Sequence, residues 1–99
     1  MIKKKDVIKK LKENHNILSE FQVKELHLFG SVARNEAGPQ SDVDIIVDFE
    51  PEAEVGFSKI VRLQKILSEI LGCSVDLTTR DSLHQEMRDH ILKESFRTA

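Results

Sequence analysis

The 99-residue chain has no tryptophan, no tyrosine, a single cysteine (Cys73), two prolines and four glycines. Without tyrosine it can carry no group on a tyrosine hydroxyl of its own. One cysteine cannot form an internal disulfide, which fits a reducing, cytoplasmic setting. No stretch approaches the roughly 18 consecutive apolar residues of a membrane span. Lys3 to Lys5 lead into a mixed-charge amphipathic segment, unlike the apolar centre of a signal peptide. A formal net charge of −2 leaves no basic footprint, so direct nucleic-acid binding is not expected. Repeats and low-complexity segments are also missing. The length predicts a single domain, residues 1–99, around one small core.

What the chain does have is clear periodicity. Residues 4–20 read as one helix, with Ile8, Leu11, Leu18 and, at the margin, His15 along a stripe. "ELHLF" (25–29) alternates as a strand, Leu26 and Leu28 on one face, His27 and Phe29 on the other. A short helix from Ser31 to Asn35 and a turn at Gly38-Pro39 follow. "DVDIIVDF" (42–49) is the strongest strand, setting Val43, Ile45 and Val47 against Asp42, Asp44, Ile46 and Asp48. From Phe57 to Leu71, Ile60, Leu63, Leu67 and Ile70 form a helical stripe, widened by Val61 and Ile66, with Gly72 suited to the C′ position. "SVDLTT" (74–79) alternates Val75 and Leu77 against Asp76 and Thr78. Ser82 to Gln85 has the form of a capping box opening a last helix. The order is α-β-α-β-α-β-α, an α/β (α+β) domain with a small three-stranded sheet whose aliphatic face is covered by helices.

The opposite face of those strands carries Asp42, Asp44 and Asp76. Residues i and i+2 of a strand project side by side, roughly 6.6 Å apart. Their carboxylates can lean together onto a pair of divalent ions, which in two-metal sites sit about 3.5–4 Å apart. Ligands that are all oxygen suit Mg²⁺ or Mn²⁺ rather than zinc. Asp76, on another strand, could complete one metal site and orient an attacking hydroxyl. Gly30 ends a strand and Ser31 opens a helix, so free N–H groups and the helix dipole meet at one spot. Gly30 lets a phosphate approach the backbone, the Ser31 hydroxyl can donate to it, and Arg34 lies one turn further on. A phosphate cradle beside a carboxylate pair describes phosphoryl or nucleotidyl transfer. An Asp-x-Asp alone is common on solvated strands. The specific signal is its combination with Gly-Ser at a fixed interval.

Gly30-Ser31, ten residues, then Asp42-Val43-Asp44 resembles the GS-x10-D-x-D signature of the DNA polymerase β-like nucleotidyltransferases. "LFGSVAR…SDVDIIVDF", the later "VDL" (75–77) and the short length are similar to the minimal nucleotidyltransferase (MNT) branch. The resemblance implies a nucleotidyltransferase fold with a mixed sheet. It also implies two Mg²⁺ ions, replaceable by Mn²⁺, on catalytic Asp42, Asp44 and Asp76, with Gly30 and Ser31 holding the terminal phosphates of ATP. MNT proteins of this kind act as antitoxins, transferring AMP from ATP to a tyrosine of a HEPN-domain ribonuclease toxin. The missing tyrosine agrees with an acceptor in trans. Larger relatives carry an extra helical domain for which this length leaves no room. Two alternatives stay open: a catalytically silent antitoxin that works by binding, and a transferase acting on a small molecule. One departure is visible, Ala33-Arg34-Asn35 where the family often has Ala-Arg-Gly; asparagine also tolerates the left-handed conformation of a tight turn.

Other residues carry weaker signals. Ser41, just before the Asp-x-Asp, is suited either to touch phosphate or to end a turn. Asp48 lies on the carboxylate face but two positions further from the Gly-Ser. His15, His27, His84 and His90 show no metal-ligand spacing, and only His27 points toward that face. Cys73 reads as a small buried apolar residue, and the N-terminal lysines as a solvated helix face or a surface for an acidic partner or RNA.

Overall fold

The computed structural model describes residues 3–30 and 42–79 and the backbone of Phe96–Arg97. The helix expected at Ser31–Asn35, the Gly38-Pro39 turn and the helix expected from Ser82 lie outside the described residues, as do the side chains of Ser31, Arg34 and Ser41.

The N-terminal segment is two helices rather than one: α1, Lys4–Glu13, and α2, His15–Glu20. The break falls at Asn14, whose backbone leaves the helical region at φ −108°, ψ 27°. Its side-chain amide donates to the carbonyl of Lys10 at 2.7 Å. Its own carbonyl accepts from the N–H groups of Ile17 and Leu18, which starts the second helix. Asparagine competes for backbone partners in this way because its short amide can replace a helical bond. At the other end, the Lys3 N–H donates to Asp6 Oδ2 at 3.2 Å, closing one orphan donor of the first turn. The break also shifts the stripe. Val7 and Leu11, at i and i+4, are buried, whereas Ile8 is only half-buried and His15 is exposed.

The sheet is mixed, in the order β3-β2-β1-β4. β1 (Val23–Phe29) runs antiparallel to β2 (Val43–Phe49), and β2 runs parallel to β3 (Val75–Thr79). The three expected strands are joined by a short fourth, β4 (Phe96–Arg97), antiparallel on the outer edge of β1. The parallel pair needs a crossover, supplied by α3, Phe57–Leu71. That helix ends where Gly72 takes the left-handed conformation (φ 70°) and its N–H reaches the Ser68 carbonyl at 2.8 Å.

One core fills the space between the sheet and the helices. Leu26 and Leu28 of β1, Val43, Ile45 and Val47 of β2, and Val75 and Leu77 of β3 meet Val7, Leu11 and Leu18. Leu63, Leu67 and Leu71 of α3 complete it. The alternation expected of each strand therefore holds. On α3 the buried line runs through Leu71, Ile60 and Ile70 flank it, and Val61 faces outward, about half exposed. Each fully buried leucine contributes about 1.5–3 kcal/mol relative to an exposed one. Cys73 packs half-buried against this core. Burial pushes its thiol pKa up; Lys10 pulls it partly back and Asp42 adds to the rise.

Candidate active site

Strand register arranges the polar face in rows. Phe29 of β1, Asp44 of β2 and Asp76 of β3 are paired across the sheet. The next row is His27, Ile46 and Thr78, and the one beyond it is Glu25 and Asp48. Ile46 is fully buried yet stands outside the main core, so an apolar residue separates the two acidic rows.

The first row holds two of the residues singled out in the sequence, Asp44 and Asp76, with Asp42 and Gly30 beside it. Asp44 and Asp76 are direct partners in the parallel pair, Asp44 half-buried and Asp76 exposed. Asp42 sits one residue before β2, exposed, and the Val43 N–H beside it donates to the Ser74 carbonyl at 2.9 Å. Across β3, Gln64 of α3 accepts from the Leu77 N–H at 3.1 Å and so fixes the strand next to Asp76. Gly30 closes the row. Its φ of +74° favours glycine, and a Cβ there would collide with Asp44 Oδ2 and stand 3.1 Å from Asp44 Cγ. The two halves of the sequence motif are thus in contact: the glycine is bare where the second aspartate of the pair passes over it.

Three carboxylates, two on neighbouring strands and one just before β2, form the all-oxygen donor set that suits magnesium or manganese. They are adjacent without being drawn tightly together. Among the described residues, the group of three whose ligand atoms lie within 4.8 Å of one another is instead Glu25, His27 and Asp48. Sequence reasoning placed His27 and Asp48 on this face but passed over Glu25. The signal was there in part, since Glu25-x-His27 is an i, i+2 pair on a strand. Bringing Asp48 to it needs the register of β1 on β2.

A mixed sheet with one helical face, and an aspartate row against a strand-ending glycine on the other, fits one class: enzymes that transfer phosphoryl or nucleotidyl groups. The profile of the nucleotidyltransferase domain matches residues 4–97. The chain belongs to that family, in its minimal branch. It is 40% identical over 74 residues to protein adenylyltransferase MntA of Thermococcus cleftensis, spanning 75% of this chain and 73% of that protein. A solved structure assigned provisionally as a minimal nucleotidyltransferase superposes with a TM-score of 0.73 at 28% identity, covering 90% of this chain and 93% of the other. The fold also matches a solved complex of a tri-AMPylated Shewanella oneidensis HEPN toxin with its MNT antitoxin. There the TM-score is 0.67 at 17% identity, over 94% of this chain and 71% of the matched one. Among the described residues no helix is long and apolar enough to cross a membrane.

Proposed function

We propose that this nucleotidyltransferase moves AMP from ATP to a tyrosine hydroxyl of a HEPN-domain ribonuclease, and that the modification makes it the antitoxin of that partner. The observation that carries the reading is the contact between Gly30 and Asp44, with Asp76 paired beside Asp44. It brings the strand-ending glycine, the expected phosphate anchor, against one of the carboxylates that suit a phosphate-bound cation. The name of the Thermococcus relative and the modified toxin in the Shewanella complex support AMP as the group and a HEPN toxin as its target. The chain has no tyrosine, so such an acceptor lies on another molecule.

In this reading Asp42, Asp44 and Asp76 would hold two magnesium ions. When bound, those ions supply positive charge to the triphosphate and to the departing pyrophosphate. The chain's own residues do the rest. The Gly30 backbone and the Ser31 hydroxyl anchor the β- and γ-phosphates, and Arg34 and Ser41 are assigned to the same nucleotide. Asp76, exposed at the sheet edge, orients the incoming hydroxyl. The hydroxyl oxygen bonds to the α-phosphorus, the bond to pyrophosphate breaks, and the hydroxyl proton passes to a carboxylate of the site.

Incubating the partner toxin with this protein, ATP and Mg²⁺ and weighing it by mass spectrometry tests the reading. An AMP-sized gain on tyrosine is expected, lost with Asp44→Asn. A toxin silenced equally by wild type and variant, with no gain in mass, would establish inhibition by binding instead.

A further inference from the structure

The second acidic row has no part in that reaction. Asp48 is four residues along β2 from Asp44, about 13 Å at ~3.3 Å per residue, with buried Ile46 between them. Glu25 and Asp48 face each other directly across the β1–β2 pair. Like charges directly opposite in a sheet are unfavourable. Into the gap comes His27, whose Nε2 is 3.0 Å from Glu25 Oε2 and 3.8 Å from Asp48 Oδ2. The three side chains are only 14%, 25% and 22% exposed.

Within the group, the hydrogen bond of the His27 ring is the one between Nε2 and Glu25 Oε2. A metal ion at the same point takes a lone pair from the nitrogen and from both carboxylates. Zinc bonds of about 2.0–2.2 Å at tetrahedral angles put ligand atoms roughly 3.4 Å apart. The observed separations of 3.0 and 3.8 Å straddle that value. The ligand atoms of all three residues lie within 4.8 Å of one another, so small rotations close the set. One imidazole and two carboxylates suit a borderline cation better than magnesium, which prefers oxygen alone.

We propose that Glu25, His27 and Asp48 form a second divalent-cation site, selective for zinc over magnesium and separate from the aspartates of the first row. It has three protein ligands and leaves a fourth position to water, the coordination of an accessible rather than a closed zinc site. His27 binds through Nε2, which leaves its proton on Nδ1. The site depends on the register of β1 on β2 and not on the nucleotide reaction.

The test uses the full chain carrying Asp42→Asn and Asp44→Asn, which leaves Asp76 as the single carboxylate of the first site. Zn²⁺ is titrated by calorimetry, and the imidazole nitrogens of His27 are followed by NMR. One equivalent of Zn²⁺ should bind, persist in tenfold excess Mg²⁺ and shift the His27 Nε2 resonance. Adding His27→Gln or Asp48→Asn should each weaken binding at least tenfold, with circular dichroism confirming the fold. Either variant suffices if the other fails to fold. No bound Zn²⁺ in the doubly substituted chain, or binding unchanged by both further substitutions, would overturn the site.

Discussion

Two glycines with nearly the same backbone conformation serve different purposes. Gly30 (φ +74°) and Gly72 (φ +70°) both occupy the left-handed region, where an L side chain costs about 1–2 kcal/mol. Around Gly72 an added methyl would meet nothing within 4 Å, whereas at Gly30 it meets the Asp44 carboxylate. Gly30→Ala should therefore lower stability by ~1–3 kcal/mol in urea unfolding. It should also displace Asp44, so that AMP transfer, measured where the variant is fully folded, falls far more than the loss of folded protein explains. A variant of normal activity would detach Gly30 from the site. The residue scale also shows what a pattern misses. Glu25 is an unremarkable strand residue until β2 places Asp48 opposite it.

Among the described elements, α3 has several structural tasks. It covers the sheet through Leu63, Leu67 and Leu71, makes the parallel crossover and ties β3 in place through Gln64. Its C-terminal stop at Gly72 is open to solvent, and the effect of Gly72→Ala should be conformational alone. A loss of about 1 kcal/mol is expected in chemical denaturation, with AMP transfer unchanged. A larger loss, or a change in activity, would mean that the end of α3 is coupled to the Asp76 row. The positions of α3 and of β1 to β3 were readable because apolar spacing is a local property. The break at Asn14 was less so: an asparagine inside an amphipathic run is compatible with a continuous helix. The bond to the Lys10 carbonyl decides between the two.

At the scale of the described molecule, the apolar core and the candidate site occupy opposite faces of one sheet. Leu67→Ala should destabilise the protein by about 2–5 kcal/mol, the usual range for emptying a buried leucine site. Transfer activity per folded molecule should stay close to wild type at low temperature. If that activity collapsed while circular dichroism stayed native, the core would be setting the geometry of the aspartates as well as their support.

The sequence by itself determined the class of elements, the aliphatic side of each strand, and the candidate residues Gly30, Asp42, Asp44 and Asp76. Alternation and the interval between Gly-Ser and Asp-x-Asp are written in neighbouring positions. Three features waited for the tertiary structure: the contact of Gly30 with Asp44, the pairing of Asp44 with Asp76, and the grouping of Glu25 and His27 with Asp48. Each joins residues from different strands or a strand and its preceding corner. Their proximity is set by hydrogen-bond register and by the packing of α3 over the sheet, and no local periodicity encodes either.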